Sequence, residues 1–373
     1  MSVVAPPSAV LPPQLLERIG VVVNPHSKKN LTRPDRWQRL HDLVRGTGQV
    51  RVTHTLDDLY QAVADFVGRD YRYLVSDGGD GSLHWLVNQT REVLEHRRGR
   101  PSAESDHPDY PVIIPGNGGT IDSVARRAGI RGHADGIVKV LNHHLREGRE
   151  IPLTMVESLF VQGVRTVDGV DRPFRLISFA AAVAGVAARF FHEYYKVPVR
   201  GPGRIARLIG KIAASISLRS PAISWFRVFP LEAYIYADEF VRPRRARVWL
   251  DGRALPQTRF NVINAGAFPI NLGGVLRAFP TARDGRIHVT AGTMSRLEFV
   301  VYLPQILLGR QIDAPRLYDG PARSLRVVAP DGELLDPVFD GEIHRGVREL
   351  TITPGPLIPM ARIRCTEPVR SPA

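Results

Sequence analysis

The sequence contains one cysteine, Cys365, in 373 residues. No intramolecular disulfide can form, which suits a reducing compartment, and the lone thiol reads as incidental. No apolar run approaches the ~20 residues that span a bilayer. The opening stretch, MSVVAPPSAVLPPQLLERIG, lacks the basic start and long apolar core of a signal peptide. Residues 1–17 read instead as a Pro-rich arm. There is no internal repeat and no long low-complexity segment. Helix-turn-helix, zinc and RNA-binding aromatic signatures are also missing, so nucleic acid is not an expected partner. Neither the Walker pattern GxxxxGK(S/T) nor the dinucleotide pattern GxGxxG occurs at any glycine-rich loop that follows a strand.

What is present is an ordinary globular composition with a basic excess. Apolar residues make up 43% and charged residues 23%. Fifty basic and 37 acidic residues give a net charge of +13, which favours anionic partners such as nucleotides or an anionic membrane face. The length fits two domains.

The first part of the chain alternates strand and helix. Ile19–Val23, Gln49–Thr53, Tyr71–Val75 and Val112–Ile114 read as strands. The helical patterns TLDDLYQAVADFVG, SLHWLVNQT and DSVARRA follow the second, third and fourth. That order argues for a mainly parallel sheet with crossover helices, whose ligands bind at the carboxyl ends of the strands. After about residue 150, strand-like runs dominate: Arg175–Phe179, Ala233–Ala237, Ala246–Leu250, Arg259–Ala265 and Arg286–Thr290, several separated by Asp-Gly turns. These read as an antiparallel second domain.

Four loops carry chemistry. NPHSKKN (Asn24–Asn30) offers backbone N–H groups and lysine charge that suit phosphate. In Gly78-Gly79-Asp80-Gly81-Ser82, glycines let a ligand approach the backbone at a helix start, and Asp80 is placed to organise Mg²⁺ or water. PGNGGTIDSVARRAGI (Pro115–Ile130) again sets glycines before a helix, with Thr120 or Asp122 as cap. In FDGEIHRG (Phe339–Gly346), Asp340 and Glu342 form a carboxylate pair fit for proton transfer. Each of these, alone, is also a common turn or capped helix start.

Taken in order, NPHS, GGDGS, GT…AR..GI, NLGGVLRAFPTARDGRIHV (Asn271–Val289) and DGE resemble the diacylglycerol kinase catalytic-domain family of lipid kinases, which also includes sphingosine and ceramide kinases. The likeness spans about residues 18–345. It implies an α/β nucleotide-binding domain with a mainly parallel sheet, an antiparallel β-sandwich lipid domain, and a C-terminal segment that returns to the first domain. The expected boundaries are 18–147 plus about 336–373 for the kinase domain and 148–335 for the sandwich.

The resemblance also implies roles. Asn24, Pro25, Ser27, Gly78, Gly79, Asp80, Gly81, Ser82, Gly119 and Thr120 would contact ATP, with Thr55 joining them. Asp80 would lie near Mg²⁺, Glu342 would be the general base, and Asp340 would support the metal or water network. Asp284 matches a structural metal site of the kind some bacterial members carry. The departures are Ser82 for the usual threonine, Trp85 where Glu is common, and Asp122-Ser123 where the family reads Asn-Asp. An Asn-to-Asp change replaces an amide donor with an acceptor-only carboxylate.

The expected activity is phosphoryl transfer from Mg·ATP to a membrane lipid hydroxyl, in the cytoplasm and peripherally at the membrane. In GRIARLIGKIAASISLR (Gly203–Arg219), Ile205, Leu208, Ile209, Ile212 and Ile216 share one helical face, with Arg204, Arg207 and Lys211 beside them. That pattern suits an anionic membrane surface, or equally a helix packed on the sandwich with a solvated basic edge. FAAAVAGVAARFF (Phe179–Phe191) reads as lipid pocket or as core. Sphingosine kinases present an acidic residue to the lipid headgroup near this place. Here Arg189, Phe190 and Phe191 stand there, and Glu193 is the nearest carboxylate. A neutral headgroup, diacylglycerol or ceramide, is the expectation, with a sphingoid base as the alternative. An NAD kinase shares GGDG but not the DGE terminus. A non-catalytic nucleotide-sensing membrane binder is motivated by Asp122, Ser123 and Trp85. The oligomeric state is not encoded.

Overall fold

A computed structural model describes residues 19–27, 30–31, 35–99, 109–116, 122–196, 202–218, 239–272, 276–283 and 285–365. The first domain alternates β1 (Ile19–Val23), α1 (Arg36–Val44), β2 (Gly48–Val52), α2 (Leu56–Gly68), β3 (Tyr73–Asp77), α3 (Asp80–Arg98), β4 (Val112–Pro115), α4 (Ser123–Ala128), α5 (Ala134–Arg146) and β5 (Leu153–Val156). The sheet runs β2-β1-β3-β4, continues through Ile358–Ala361, and closes on β5. Every pairing is parallel except that between Ile358–Ala361 and β5. β1, β3 and β4 are buried at every residue, as a parallel sheet covered by helices requires.

α2 shows why these residues fold this way. Thr55 caps it through a reciprocal box with Asp58. Leu59, Ala62, Val63, Phe66 and Val67 then recur at helical spacing and are buried. Phe66 is fully buried, and such a side chain contributes about 1.5–3 kcal/mol. It lies so close to β1 that a Cβ at Gly20 would meet its ring at 2.6 Å, so only glycine fits there.

The second domain contains two six-stranded antiparallel sheets that share one apolar core. One holds β6 (Leu159–Val167) and β7 (Val170–Ser178), a hairpin turned at Asp168-Gly169 with both residues at positive φ. Its other members are Val347–Pro354, Leu325–Val328, Arg247–Leu250 and Arg253–Ala254. The other sheet is ordered Leu317–Ala322, Ile287–Gly292, Val262–Gly266, β8 (Ala180–Gly185), Val338–Phe339 and Glu342–Ile343. Among the described residues it also holds helices α6 (Val186–Tyr195), α7 (Pro202–Leu218), α8 (Arg296–Val301) and α9 (Leu303–Leu308). No helix among the described residues is long and apolar enough to cross a membrane.

The expected fold class is therefore present, but its seams shift. β5 still belongs to the first sheet, so the chain leaves it after Val156 rather than at 147. Val338–Phe339 and Val347–Pro354 belong to the second domain, so the return comes with Ile358–Ala361 rather than near 336. The expected strand Arg259–Ala265 is broken at Asn261. The FAAAVAGVAARFF run divides into strand β8 and helix α6 at Gly185, whose φ of 84° and contact with the Asn261 backbone admit no side chain. The Pro-rich arm and the expected strand Ala233–Ala237 lie outside the described residues.

Candidate functional site

β1 and β3 are hydrogen-bonded neighbours, so the loops that follow them meet. Asn24 Nδ2 donates to Ser82 Oγ at 2.9 Å, tying the first loop to the GGDGS segment. Asn24 Oδ1 accepts from the His26 N–H at 2.9 Å. The Ser27 N–H donates to the Asn24 carbonyl, and Asn30 Nδ2 donates to the same oxygen. Ser27 Oγ is buried without a partner and its residue lines the cavity described below, so its hydroxyl is available to a ligand. Pro25 holds the turn and does not line the cavity.

Gly79 is extended and precedes α3, which begins at Asp80. A Cβ at Gly78 would meet Ser82 Oγ at 2.1 Å, so the loop closes on its own hydroxyl only because position 78 is glycine. Asp80 is half-buried and lines the cavity. Its Oδ2 accepts the Asp122 N–H at 3.1 Å. Burial pushes its carboxyl up to about 7, and the Asp122 and Asp340 carboxylates add to the rise. Asp122 itself sits at φ 46°, a left-handed conformation that Asn and Asp both tolerate. Its backbone N–H donates to Asp80 whichever residue stands there, whereas the charge that its carboxylate sets beside Asp80 comes with the Asn-to-Asp departure.

The DGE turn connects Val338–Phe339 to Glu342–Ile343 at the edge of the second-domain sheet. Glu342 is half-buried, lines the cavity and lies directly over the GGDG loop. A Cβ at Gly81 would stand 2.2 Å from Glu342 Oε1. The two strongest sequence motifs, from different domains, thus touch.

Asp340 is not the free carboxylate that the sequence suggests. Its side chain is 5% exposed. Oδ1 accepts the Phe179 and Ala180 N–H groups, each at 2.9 Å, and Oδ2 lies 2.9 Å from His84 Nδ1. Three partners fix the DGE turn to Phe179, to β8 and to α3, so Asp340 holds the turn that carries Glu342. The motif search missed His84 and Asn88. They stand four and eight residues after Asp80, on one face of α3. Asn88 donates to the His84 and Ile177 carbonyls and accepts the Ile177 N–H. Polar residues at helical spacing on a buried face were the available signal. Trp85 lines the cavity and stacks on His344, with ring centroids 5.9 Å apart. Burial pushes His344 down to about 3, helped by His84 and Arg165. Beneath the loop, buried Arg36 pairs with Asp77 at 2.9 Å and with Asp135 at 3.3 Å.

The cavity, about 910 Å³, opens between the phosphate-type loops and the second domain. Asn24, Ser27, Gly79, Asp80, Gly81, Ser82, Asp340 and Glu342 line one end, and Phe190, Phe191, Tyr194, Ile209, Ile212 and Phe299 form an apolar wall. Phe190 and Phe191, the expected lipid contacts, are part of this wall. Glu193 is not among the lining residues, and it pairs with Lys196 instead. Thr55 is exposed and occupied as the α2 cap, so its hydroxyl has a local task away from the cavity. The apolar stripe of α7 faces inward: Ile205, Leu208 and Ile212 are buried against α6 and α8. Arg204 is half-buried and reaches the Glu193 carbonyl, whereas Arg207 and Lys211 are exposed. Gly119, Thr120 and Asp284 lie outside the described residues.

Among the described residues, no three His, Cys, Asp or Glu side chains converge as a metal cage. Mg²⁺ rarely uses one, taking one or two carboxylates plus substrate phosphates. The acid crowding at Asp80, beside Asp122 and Asp340, fits a nucleotide-borne cation.

Residues 18–153 match the family model of the diacylglycerol kinase catalytic domain. A search of the curated proteins finds no match. Among solved structures, a diacylglycerol kinase from Bacillus anthracis str. Sterne is 13% identical, with a TM-score of 0.52 over 93% of this chain and 97% of that chain. A second structure from the same organism is 14% identical, with a TM-score of 0.54 over 91% and 95%. Both likenesses bear on the fold. Yeast NADH kinase complexed with NADH aligns at 11% identity with a TM-score of 0.47, over 95% and 89%.

Proposed function

We propose that this chain, whose residues 18–153 carry a diacylglycerol kinase catalytic domain, transfers the γ-phosphoryl group of ATP to a hydroxyl of a neutral membrane lipid. The observation that carries the reading is the contact between Glu342 and Gly81 where the phosphate-type loops open into an apolar chamber. A solvent-facing cofactor site has no need of such a chamber.

The Asn24–Ser27 loop and the Gly78–Ser82 segment hold the nucleotide phosphates, helped by the unpaired N–H groups of the first turn of α3. Asp80 would hold Mg²⁺ together with those phosphates, and the ion would offset charge that develops on the transferred group. Glu342 accepts the lipid hydroxyl proton as the oxygen attacks γ-phosphorus and the bond to the ADP oxygen breaks. Asp340 and His84 keep Glu342 in register with the loop. Phe190, Phe191 and Tyr194 take the hydrocarbon.

The lipid enters from a membrane. Leu31, Leu297 and Val301 are 68%, 66% and 60% exposed, and Leu31 lines the cavity. α8 packs on α7, whose exposed edge carries Arg207 and Lys211. Apolar side chains beside cations suit an anionic leaflet. Glu193 pairs with Lys196 and does not line the cavity, and Asp319, which does, already accepts from Thr290 and the Ile312 N–H, which supports diacylglycerol or ceramide over a sphingoid base. The test is transfer of labelled γ-phosphate to diacylglycerol, ceramide, sphingosine and NAD in mixed micelles with Mg²⁺, with wild type and Asp80→Ala. A labelled neutral lipid that vanishes in the variant supports the reading. Label on NAD, or no product while ATP binds, refutes it.

A further inference from the structure

One rung of the second-domain sheet forms the cavity floor. Val338 pairs with Ala182, Ala182 with Asn264, Asn264 with Thr290, and Thr290 with Asp319. Directly paired residues point to one face, and all five line the cavity. The rung begins two residues before Asp340. It is apolar at Val338 and Ala182 and polar from Asn264 onward. Strands lie ~4.8 Å apart, so Asn264 stands roughly 10 Å from Val338 and Thr290 roughly 15 Å.

The far end of this rung is a satisfied network. Thr290 Oγ1 donates to Asp319 Oδ1 at 2.6 Å, and His288 Nε2 lies 2.9 Å from the same oxygen. The Ile312 N–H donates to Asp319 Oδ2 at 2.7 Å, and Thr281 Oγ1 lies 2.7 Å from His288 Nδ1. A carboxylate only accepts, so the Thr290 hydrogen is committed to Asp319. What Thr290 offers the cavity is an acceptor. Asn264 is the exception to this satisfaction. Its Oδ1 is buried without any hydrogen-bond partner, and its amide makes no side-chain hydrogen bond among the described residues. Buried amides are almost always paired, and one left unpaired against a cavity is a group awaiting a ligand.

We infer that Asn264 and Thr290 read a second polar group on the acceptor, a hydroxyl or a secondary amide, set apart from the phosphorylated hydroxyl by a hydrocarbon stretch of roughly 10 Å. The direction of the acceptor along the floor rests on the lipid-kinase reading. A hydroxyl or secondary amide gives its hydrogen to the orphaned Asn264 Oδ1, with Thr290 Oγ1 as the neighbouring acceptor. A bare methylene leaves Asn264 Oδ1 unpaired, and an ester oxygen has no hydrogen to give it. Val338, Ala182 and Phe191 cover the hydrocarbon between.

The probe is a set of monoacylglycerols of one chain length, plain or carrying a single hydroxyl at successive positions, in detergent micelles. Binding is read by displacement of a fluorescent fatty-chain analogue, and turnover by labelled phosphate. One narrow window of positions is expected to bind roughly tenfold to a hundredfold more tightly than the plain chain. Asn264→Leu should flatten that window with Tm unchanged or higher, because no protein hydrogen bond is lost. Asn264→Ala provides the same readout if the leucine variant misfolds. A flat wild-type profile, or a window that survives in both variants, overturns the inference. A window in binding without phosphate transfer upholds it and overturns the lipid-kinase reading instead.

Discussion

Gly81→Ala separates catalysis from stability. The alanine Cβ would stand 2.2 Å from Glu342 Oε1, 3.2 Å from its Cδ and 3.7 Å from its Cγ, which makes Glu342 the residue it meets first. An ordinary carbon–oxygen contact is about 3.3 Å, so the carboxylate must retreat by about 1 Å. It can do so cheaply, because it is the free end of a flexible side chain. Gly81 lies in the first turn of α3 without a positive φ, where alanine is favoured by about 0.5–1 kcal/mol. A displacement of about 1 Å of a catalytic group costs roughly 10²-fold in rate, equivalent to about 2.7 kcal/mol in the barrier. The variant should therefore melt at or above the wild-type temperature and lose roughly a hundredfold in kcat. Thermal denaturation and initial-rate kinetics with saturating ATP measure the two quantities. Wild-type kcat in a folded Gly81→Ala protein would refute the placement of Glu342 at the transfer point.

Other outcomes follow from the same geometry. Asp340→Ala should cost about 3–5 kcal/mol in chemical denaturation, because the Phe179 and Ala180 N–H groups and His84 Nδ1 lose their partner inside the protein; Asp340→Asn, which keeps an acceptor, should cost less. His344 has a folded pKa near 3, below its unfolded value of 6.5, so its contribution is complete above pH 6.5 and is lost as pH falls toward 3. About 3 kcal/mol should disappear by about pH 4, and His344→Phe should flatten that part of the denaturation-against-pH curve. Arg207→Ala with Lys211→Ala should weaken partition onto anionic vesicles about 30-fold at low salt, at about 1 kcal/mol per cation, without changing transfer to a short-chain acceptor in detergent.

Much of this was legible because periodicity and motif order are local properties. β1, β3, α2 and the start of α3 follow from apolar spacing and glycine punctuation, and GGDG and DGE stand out as strings. What escaped is what only the fold creates. Asp340 looks identical to Glu342 in a sequence, yet one is locked by two backbone N–H groups and His84 while the other lies over Gly81. The α7 stripe fits a membrane or a core equally well by spacing, and packing against α6 and α8 decides for the core. Glu193 is near Phe190 and Phe191 in the chain but turns to Lys196. Thr55 was expected as a ligand contact from the resemblance alone, and Asp58 three residues on was the local signal for the cap that it forms. The first sheet reaches past the expected boundaries because β5 and Ile358–Ala361 extend it through a pairing that joins distant parts of the chain.

The most direct test of the account is single-turnover transfer of labelled γ-phosphate from ATP to diacylglycerol or ceramide by wild type and Glu342→Gln, with ATP affinity measured alongside. The account predicts a labelled lipid from the wild type, and a loss of 10²-fold or more in the transfer rate of the variant at unchanged ATP affinity. Equal transfer rates in the two proteins would contradict it.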